Sequence, residues 1–201
     1  KMIIGFKPSR FEQRKKNMAK KEYVVLVDRE GKFLGTEEKL AAHEKGLLHT
    51  AFSVFIFNSK GQMLLQQRAF DKYHFGGLWS NACCSHPRLN ETPLEAAHRR
   101  MEEELGFDTE LKSVFSFIYR ADDHVSGLIE HELDTVLVGV YDEPIDNLNP
   151  KEVNDIKWID IPTLFTDLEI NSTTYTFWFK TALVELINRG LLAVSNVKKL
   201  F

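Results

Sequence analysis

Apolar positions along the chain follow two periods, one typical of strands and one typical of helices. Short apolar runs that are rich in β-branched and aromatic residues, and that end at Gly, Asn, Asp or Pro, indicate strands. Such runs predict strands at residues 23–27, 51–57, 63–67, 114–119, 129–141 and 156–161. Residues 58–61 (Asn-Ser-Lys-Gly) separate two of these runs and predict a β-hairpin.

Helical spacing of apolar residues is clearest between Leu94 and Leu105. Pro93 is typical of a first helical turn and Gly106 of a helix end, so we predict a helix over residues 93–105. Residues 36–39 (Thr-Glu-Glu-Lys) resemble a capping box that opens a short helix ending at Gly46. Two further helices are predicted near residues 162–165 and 176–187.

Residues 70–87 show no regular period. They combine glycine, proline, Trp79 and polar residues, which predicts a long loop. Loops of this length in a compact domain often carry function. Strands that alternate with helices and hairpins predict an α+β fold, an α/β sandwich built around a mixed β-sheet.

The composition indicates one folded domain. Of the 201 residues, 43% are apolar and 27% are charged, which is ordinary for a globular domain with its own core. No stretch approaches the roughly 18 consecutive apolar residues of a membrane helix, so we expect no membrane span. We expect a monomer or a weak dimer.

Charge is unevenly distributed along the chain. Residues 1–22 hold eight basic and two acidic residues, although the net charge of the whole chain is −3. The remainder is therefore acidic, which argues against nucleic-acid binding. Residues 1–17 are interpreted as a basic N-terminal arm without the apolar core of a secretion signal. This arm could be a tail, a leader, a weak anion-binding patch or extra sequence before a start at Met18. Residues 18–201 form the single predicted domain.

The two cysteines, Cys83 and Cys84, are neighbours in the chain. Adjacent Cα atoms lie about 3.8 Å apart. Disulfides usually require at least roughly 4.4 Å, so we expect no bond between these two residues. Free thiols indicate a reducing compartment, and we expect a cytoplasmic protein.

Segment 91–107 has a regular pattern of charges. Arg99 and Arg100 precede Glu103 and Glu104 by one helical turn, which fits a salt-bridged helix face in solvent. The same carboxylates also fit a site that binds Mg²⁺ on a diphosphate. The segment resembles the Nudix box, Gly-x5-Glu-x7-Arg-Glu-U-x-Glu-Glu-x-Gly-U, in which U is apolar.

Two positions depart from that box. Ser85 stands at the first glycine, and Arg100 stands at the glutamate that follows the first arginine. A Nudix hydrolase needs this glutamate as a metal ligand, whereas a guanidinium binds phosphate through two hydrogen bonds. The departure favours binding a diphosphate over cleaving it. A Nudix hydrolase and a non-catalytic diphosphate-binding module are the two alternatives.

Residues 81–87 carry a second motif, Asn-x-x-Cys-x-His-Pro, directly before the Nudix-like segment. Alone, the cysteines would be more typical of a buried core. Together, the two motifs resemble those of the type 1 isopentenyl-diphosphate isomerases, and the resemblance spans residues 23–186. It implies a Nudix-like mixed β-sheet flanked by helices. It also implies an isomerase of isoprenoid precursor biosynthesis that interconverts isopentenyl and dimethylallyl diphosphate. The expected partner is therefore a small-molecule substrate, an isoprenoid diphosphate.

The resemblance implies a metal site formed by His43, His49, His86, Glu130 and Glu132. Side chains alternate along a strand, so Glu130 and Glu132 share one face; the alternative is that this face lies in solvent. Three imidazoles with two carboxylates suit Mn²⁺, Zn²⁺ or Fe²⁺ better than Ca²⁺. A Mg²⁺ ion is expected to arrive with the substrate diphosphate and to bind Glu104.

The resemblance also implies the residues that react. Cys84, expected as a thiolate, and Glu132 match the two proton-transfer groups on opposite faces of the double bond, and Tyr119 matches a tyrosine that relays a proton to Glu132. Trp178 matches a tryptophan whose ring stabilises a carbocation, although simple core packing is the alternative for it. The expected diphosphate-binding cations are Lys39, Arg68, Lys72 and Arg100.

Overall fold

The computed structural model describes residues 21–72, 74–123 and 126–192. In these residues, nine strands form one mixed sheet with helices on both faces, which confirms the predicted α+β sandwich. The strands are β1 (Tyr23–Val27), β2 (Phe33–Glu38), β3 (His49–Phe57), β4 (Gln62–Arg68), β5 (Trp79–Asn81), β6 (Cys83–Ser85), β7 (Leu111–Asp122), β8 (Ile129–Val140) and β9 (Val153–Asp160). The helices are α1 (Lys39–Lys45), α2 (Pro93–Leu105), α3 (Ile161–Asn171) and α4 (Phe177–Asn188), with a 3-10 turn at Ser172–Thr174.

The predicted basic arm, residues 1–17, lies outside the described residues. In the part of the chain that is described, no helix is both long and apolar enough to cross a membrane.

Strand β3 is the centre of the sheet and sets the geometry of the site. It runs parallel to β8 and antiparallel to β1, β4 and β6. Its register places His49 beside Glu132 of β8 and Ser53 beside Cys84 of β6. Residues that are far apart in the chain therefore meet across β3.

The side chains of β3 alternate between two hydrophobic cores. Val54 and Ile56 pack in the core that includes α2, whereas Phe55 and Phe57 pack in the core that includes α3 and α4. This alternation follows from the two-residue period of a strand. Because both faces of β3 are covered by apolar groups, its sequence is nearly continuous in apolar residues.

Helix α2 has the bounds predicted from its sequence. The Thr92 hydroxyl accepts a hydrogen bond from the backbone N–H of Glu95, and the Glu95 carboxylate accepts one from the backbone of Thr92. Gly106 ends the helix with φ of 72°. A side chain there would also collide with the backbone of Asn147, since its Cβ would lie 2.5 Å from that carbonyl oxygen.

The predicted capping box at residues 36–39 is wrong. Residues 36–38 belong to strand β2, which pairs with β1 in antiparallel fashion, and α1 begins at Lys39 without a side-chain cap. Pairing with β1 overrides the local helix signal because it satisfies the backbone of these residues. The predicted end of the helix at Gly46 is confirmed.

The predicted loop at residues 70–87 is partly wrong, because it contains the short strands β5 and β6. Strand β5 pairs with β4, and β6 pairs with β3. Three residues are too few for a sequence period to indicate a strand. Pairing with β4 and β3, rather than a local sequence signal, therefore makes β5 and β6 strands.

Candidate active site

The expected site residues meet in one cavity at the end of the sheet where β3, β6 and β8 lie side by side. Cys84 and Glu132 line this same cavity. His49 and Tyr119 stand directly behind Glu132 and contact it. The other expected residues in the cavity wall are Lys39, His43, Arg68, Lys72, His86, Arg100, Glu104, Glu130 and Trp178.

Four of the expected metal ligands form a tight cluster. One donor atom from each of His43, His49, His86 and Glu132 lies within 4.8 Å of the other three. His43 Nδ1 donates to the Lys39 carbonyl at 2.7 Å, and His49 Nδ1 donates to the Leu47 carbonyl at 2.8 Å. A carbonyl can only accept, so both rings in their neutral form present an unprotonated Nε2 to the cluster.

Glu130 completes the set from the same face of β8. Its Oε2 lies 3.1 Å from His43 Nε2. In the neutral tautomer of His43, two acceptors would face each other here, an arrangement that requires a proton or a cation between them. In the described residues, His49 Nε2 has no hydrogen-bond partner although it is buried. This donor set of three nitrogens and two carboxylates fits a divalent transition metal.

The protonation states of Glu132 and His86 suit metal binding. Burial opposes ionisation of Glu132, yet the neighbouring imidazoles of His49 and His86 hold the pKa of its carboxyl well below the usual value. Burial lowers the pKa of His86 to about 3. A charged carboxylate and a neutral imidazole are the forms that bind a metal ion.

Tyr119 contacts the carboxylate that is expected to transfer a proton. Its hydroxyl donates to Glu132 Oε2 at 2.7 Å, because the two residues are paired across β7 and β8. Burial, followed by the charge of Glu132, raises the pKa of the Tyr119 phenol, which therefore remains a donor.

Cys84 lies in a pocket of polar side chains. Its Sγ donates to Asn81 Oδ1 at 2.8 Å and lies 3.8 Å from the hydroxyls of Ser53 and Ser80. Burial, and then the charge of Asp134, raises the pKa of this thiol to about 12. These surroundings therefore favour the protonated thiol of Cys84 over the expected thiolate.

Cys83 faces the opposite side of the sheet. It is fully buried in the core that includes α2 and is a free cysteine, as is Cys84. The alternation of a strand separates the two neighbouring thiols, one into the cavity and one into the core.

The four expected diphosphate-binding cations line the cavity together with carboxylates. Arg100 Nη2 lies 2.5 Å from Glu104 and 3.1 Å from Glu152, and Lys72 also pairs with Glu152. Glu104 accepts a further hydrogen bond from Gln66 and is not part of the four-residue metal cluster. Arg68 and Lys39 line the same cavity.

Arg68 and Lys39 have different surroundings. The Arg68 guanidinium lies 5.1 Å from the centre of the Trp178 ring and donates to the carbonyl of His74. The Lys39 amine pairs with Glu22 at 3.1 Å. Carboxylates therefore pair with Lys39, Lys72 and Arg100, whereas Arg68 contacts an aromatic ring and a carbonyl.

Three residues of the cavity region were not expected from the sequence. Glu152 pairs with Lys72 and Arg100 but lies in the segment before β9, where no sequence signal marks it. His74 lies 3.6 Å from Glu130 within a segment predicted as a loop. Asp134 is buried below Cys84, and burial raises the pKa of its carboxyl to about 8. The inward alternation of Glu130, Glu132 and Asp134 on β8 is the signal that indicates this last residue.

Known proteins match both the sequence and the fold. The NUDIX domain family matches residues 47–179. Isopentenyl-diphosphate Delta-isomerase 2 of Aromatoleum aromaticum is 49% identical over 168 residues, 83% of this chain and 87% of that protein. Isopentenyl-diphosphate Delta-isomerase of Serratia proteamaculans is 47% identical over 166 residues, 82% of this chain and 91% of that protein.

A solved structure supports the fold alone. The crystal structure of DR0079 from Deinococcus radiodurans matches with a TM-score of 0.61 and 19% identity, over 75% of this chain and 90% of that one. Because the sequence relatives cover most of the chain at high identity, this protein belongs to the isopentenyl-diphosphate Delta-isomerase family and has a NUDIX domain.

Proposed function

We propose that this protein interconverts isopentenyl diphosphate and dimethylallyl diphosphate, with Cys84 and Glu132 as the proton-transfer groups. The observation that carries the proposal is that both side chains line one cavity that also contains the expected phosphate-binding cations. The names of relatives that are 47–49% identical support the reaction.

The reaction moves one hydrogen without changing the formula of the substrate. The terminal alkene carbon gains a proton, positive charge develops on the tertiary carbon, and the carbon next to it loses a proton. An acid on one side of the alkene and a base on the other are sufficient. Cys84 and Glu132 supply them, and they exchange roles when the reaction runs backwards.

Tyr119 supports the carboxylate side of the reaction. Its hydroxyl is within hydrogen-bond distance of Glu132, so a proton can pass between the two oxygens. Trp178 supports the intermediate, because its ring lines the cavity and its π face attracts positive charge. Its hydrogen-bonded and largely buried position holds that ring still.

The diphosphate is retained throughout. Lys39, Arg68, Lys72 and Arg100 would bind its oxygens and position the alkene, while the walls of the cavity exclude water. Anchoring the diphosphate also protects the product, since an allylic diphosphate ionises readily.

Two metal ions are part of the proposal. His43, His49, His86, Glu130 and Glu132 would hold Mn²⁺, Zn²⁺ or Fe²⁺, and Glu104 would bind the Mg²⁺ that accompanies the diphosphate. When bound, the first ion would neutralise the buried carboxylates of β8 and fix their orientation. We also infer a reducing, cytoplasmic location, because both cysteines are free.

The test is product analysis by ¹H and ³¹P NMR after incubation with isopentenyl diphosphate and divalent metal. We expect dimethylallyl diphosphate to accumulate to an equilibrium mixture without release of phosphate. Phosphate or monophosphate as the product would identify a hydrolase instead. Saturable binding without any new signal would identify a binding module.

A further inference from the structure

The hydroxyl of Ser80 lies between two residues of the proposed site. One is Trp178, which is proposed to stabilise the carbocation, and the other is Cys84, which is proposed to transfer a proton. Ser80 is in strand β5 and is only 4% exposed. Its Oγ accepts a hydrogen bond from Trp178 Nε1 at 2.9 Å. The same oxygen lies 3.8 Å from Cys84 Sγ, 3.1 Å from Asn81 Oδ1 and 3.0 Å from the hydroxyl of Thr176.

Chemistry fixes the direction of two of these hydrogen bonds, the one from Trp178 to Ser80 and the one from Ser80 to Asn81 Oδ1. An indole N–H can only donate, so Ser80 must accept from Trp178 and keeps its own proton for another partner. The Nδ2 group of Asn81 donates to the carbonyls of Val54 and Cys83, which turns Oδ1 toward Ser80 and Cys84. The Asn81 oxygen therefore receives the thiol proton of Cys84.

We propose that Ser80 is a positioning residue that fixes the Trp178 ring and the Cys84 sulfur relative to each other. This role rests on the proposed function. A hydrogen bond from Trp178 prevents rotation of the indole away from the cavity. The remaining O–H can turn from Asn81 toward the sulfur when Cys84 gives up its proton, without movement of any heavier atom.

The aromatic contact of Trp178 does not satisfy its polar atom. Phe75 contacts the indole edge to face at 5.2 Å and provides no hydrogen-bond acceptor for the indole N–H. The indole has one polar atom, and in the described structure that atom bonds to Ser80. Loss of this acceptor would leave a buried N–H without a partner, so the ring would shift to find one.

The test compares Ser80→Ala with Ser80→Thr and uses Thr176→Val as the matched control. Thr176 shares the hydrogen-bond network but does not bond to Trp178 or Cys84. Because small misplacements of reacting groups can reduce rates by about 100-fold, we expect a fall in kcat of that order for Ser80→Ala, with KM unchanged within about threefold. Ser80→Thr should restore kcat, and Thr176→Val should retain it.

A spectroscopic measurement separates positioning from general loss of structure. The indole N–H signal of Trp178, assigned in ¹H–¹⁵N spectra by its loss in Trp178→Phe, should move upfield in Ser80→Ala. It should remain in place in Thr176→Val. Should Ser80→Ala fail to fold, the double variant Trp178→Phe/Ser80→Ala removes the unpaired N–H. The kcat of this double variant should then lie less than about 100-fold below the kcat of Trp178→Phe.

The outcomes distinguish this role from the proposed function. Wild-type kcat in Ser80→Ala, an unmoved indole signal, or no recovery in Ser80→Thr would overturn the role of Ser80 alone. A full 100-fold further loss in the double variant, about the size expected for the single change, would also overturn it. A wild-type protein that forms no dimethylallyl diphosphate would refute the proposed function and this role together.

Discussion

At the scale of single residues, backbone carbonyls set the tautomers of two histidines in the proposed metal site. The carbonyl of Lys39 and that of the turn before β3 bind the Nδ1 atoms of His43 and His49. Each Nε2 is thereby directed at the carboxylates of β8. The sequence resemblance predicts these ligands, but it contains no information about the carbonyls, because any residue could supply them.

The metal cluster leads to a prediction for His49. His49→Gln should lower the affinity for the bound divalent ion at least about tenfold, because one of the nitrogen ligands is lost. Metal content after dialysis, measured by mass spectrometry, is the readout. His98→Gln is the control, because His98 pairs with Asp108 away from the cavity and should leave the metal content unchanged. Equal metal content in both variants would contradict the assignment.

Arg100 leads to a second prediction at this scale. Arg100→Lys keeps the charge but loses the two-pronged hydrogen bonding of a guanidinium, so KM for isopentenyl diphosphate should rise about tenfold. Steady-state kinetics provide the measurement. The control is Arg88→Lys, because the Arg88 side chain is 65% exposed. The KM of this variant should not change. A wild-type KM for Arg100→Lys would argue against diphosphate binding at this position.

At the scale of elements, local signals predict both ends of α2 well and the short strands poorly. Helix α2 begins and ends as its sequence predicts, because the cap at Thr92 and the turn at Gly106 are formed within a few residues. Strand β2 depends on pairing with β1, whereas β5 and β6 depend on pairing with β4 and β3. A sequence pattern over three to six residues does not contain that pairing.

Gly106 provides the prediction for this scale. Gly106→Ala should destabilise the protein by about 1–3 kcal/mol, since alanine is strained at positive φ and its Cβ would collide with Asn147. Gly61→Ala is the control: it has a φ of 80° but no atom within 4 Å of the added Cβ. Urea unfolding should therefore show a larger loss for Gly106→Ala. Equal losses would mean that the contact with Asn147 does not matter.

At the scale of the whole molecule, the sheet brings the proposed proton-transfer residues and the proposed diphosphate-binding cations to one cavity. Strand β3 places His49 beside Glu132 and Ser53 beside Cys84, while α2 brings Arg100 to the same cavity. The motifs predict most of the residues that meet at this cavity. They do not predict Glu152, which pairs with two of the cations from a segment without a motif.

The two neighbouring cysteines allow the most direct test of the central claim. Isopentenyl diphosphate is incubated in deuterated buffer with Cys84→Ala or Cys83→Ala, and deuterium in both isomers is followed by NMR. We predict that Cys83→Ala incorporates deuterium and that Cys84→Ala, although folded, incorporates none. Wild-type incorporation by Cys84→Ala would contradict a proton-transfer role for the thiol that faces the cavity.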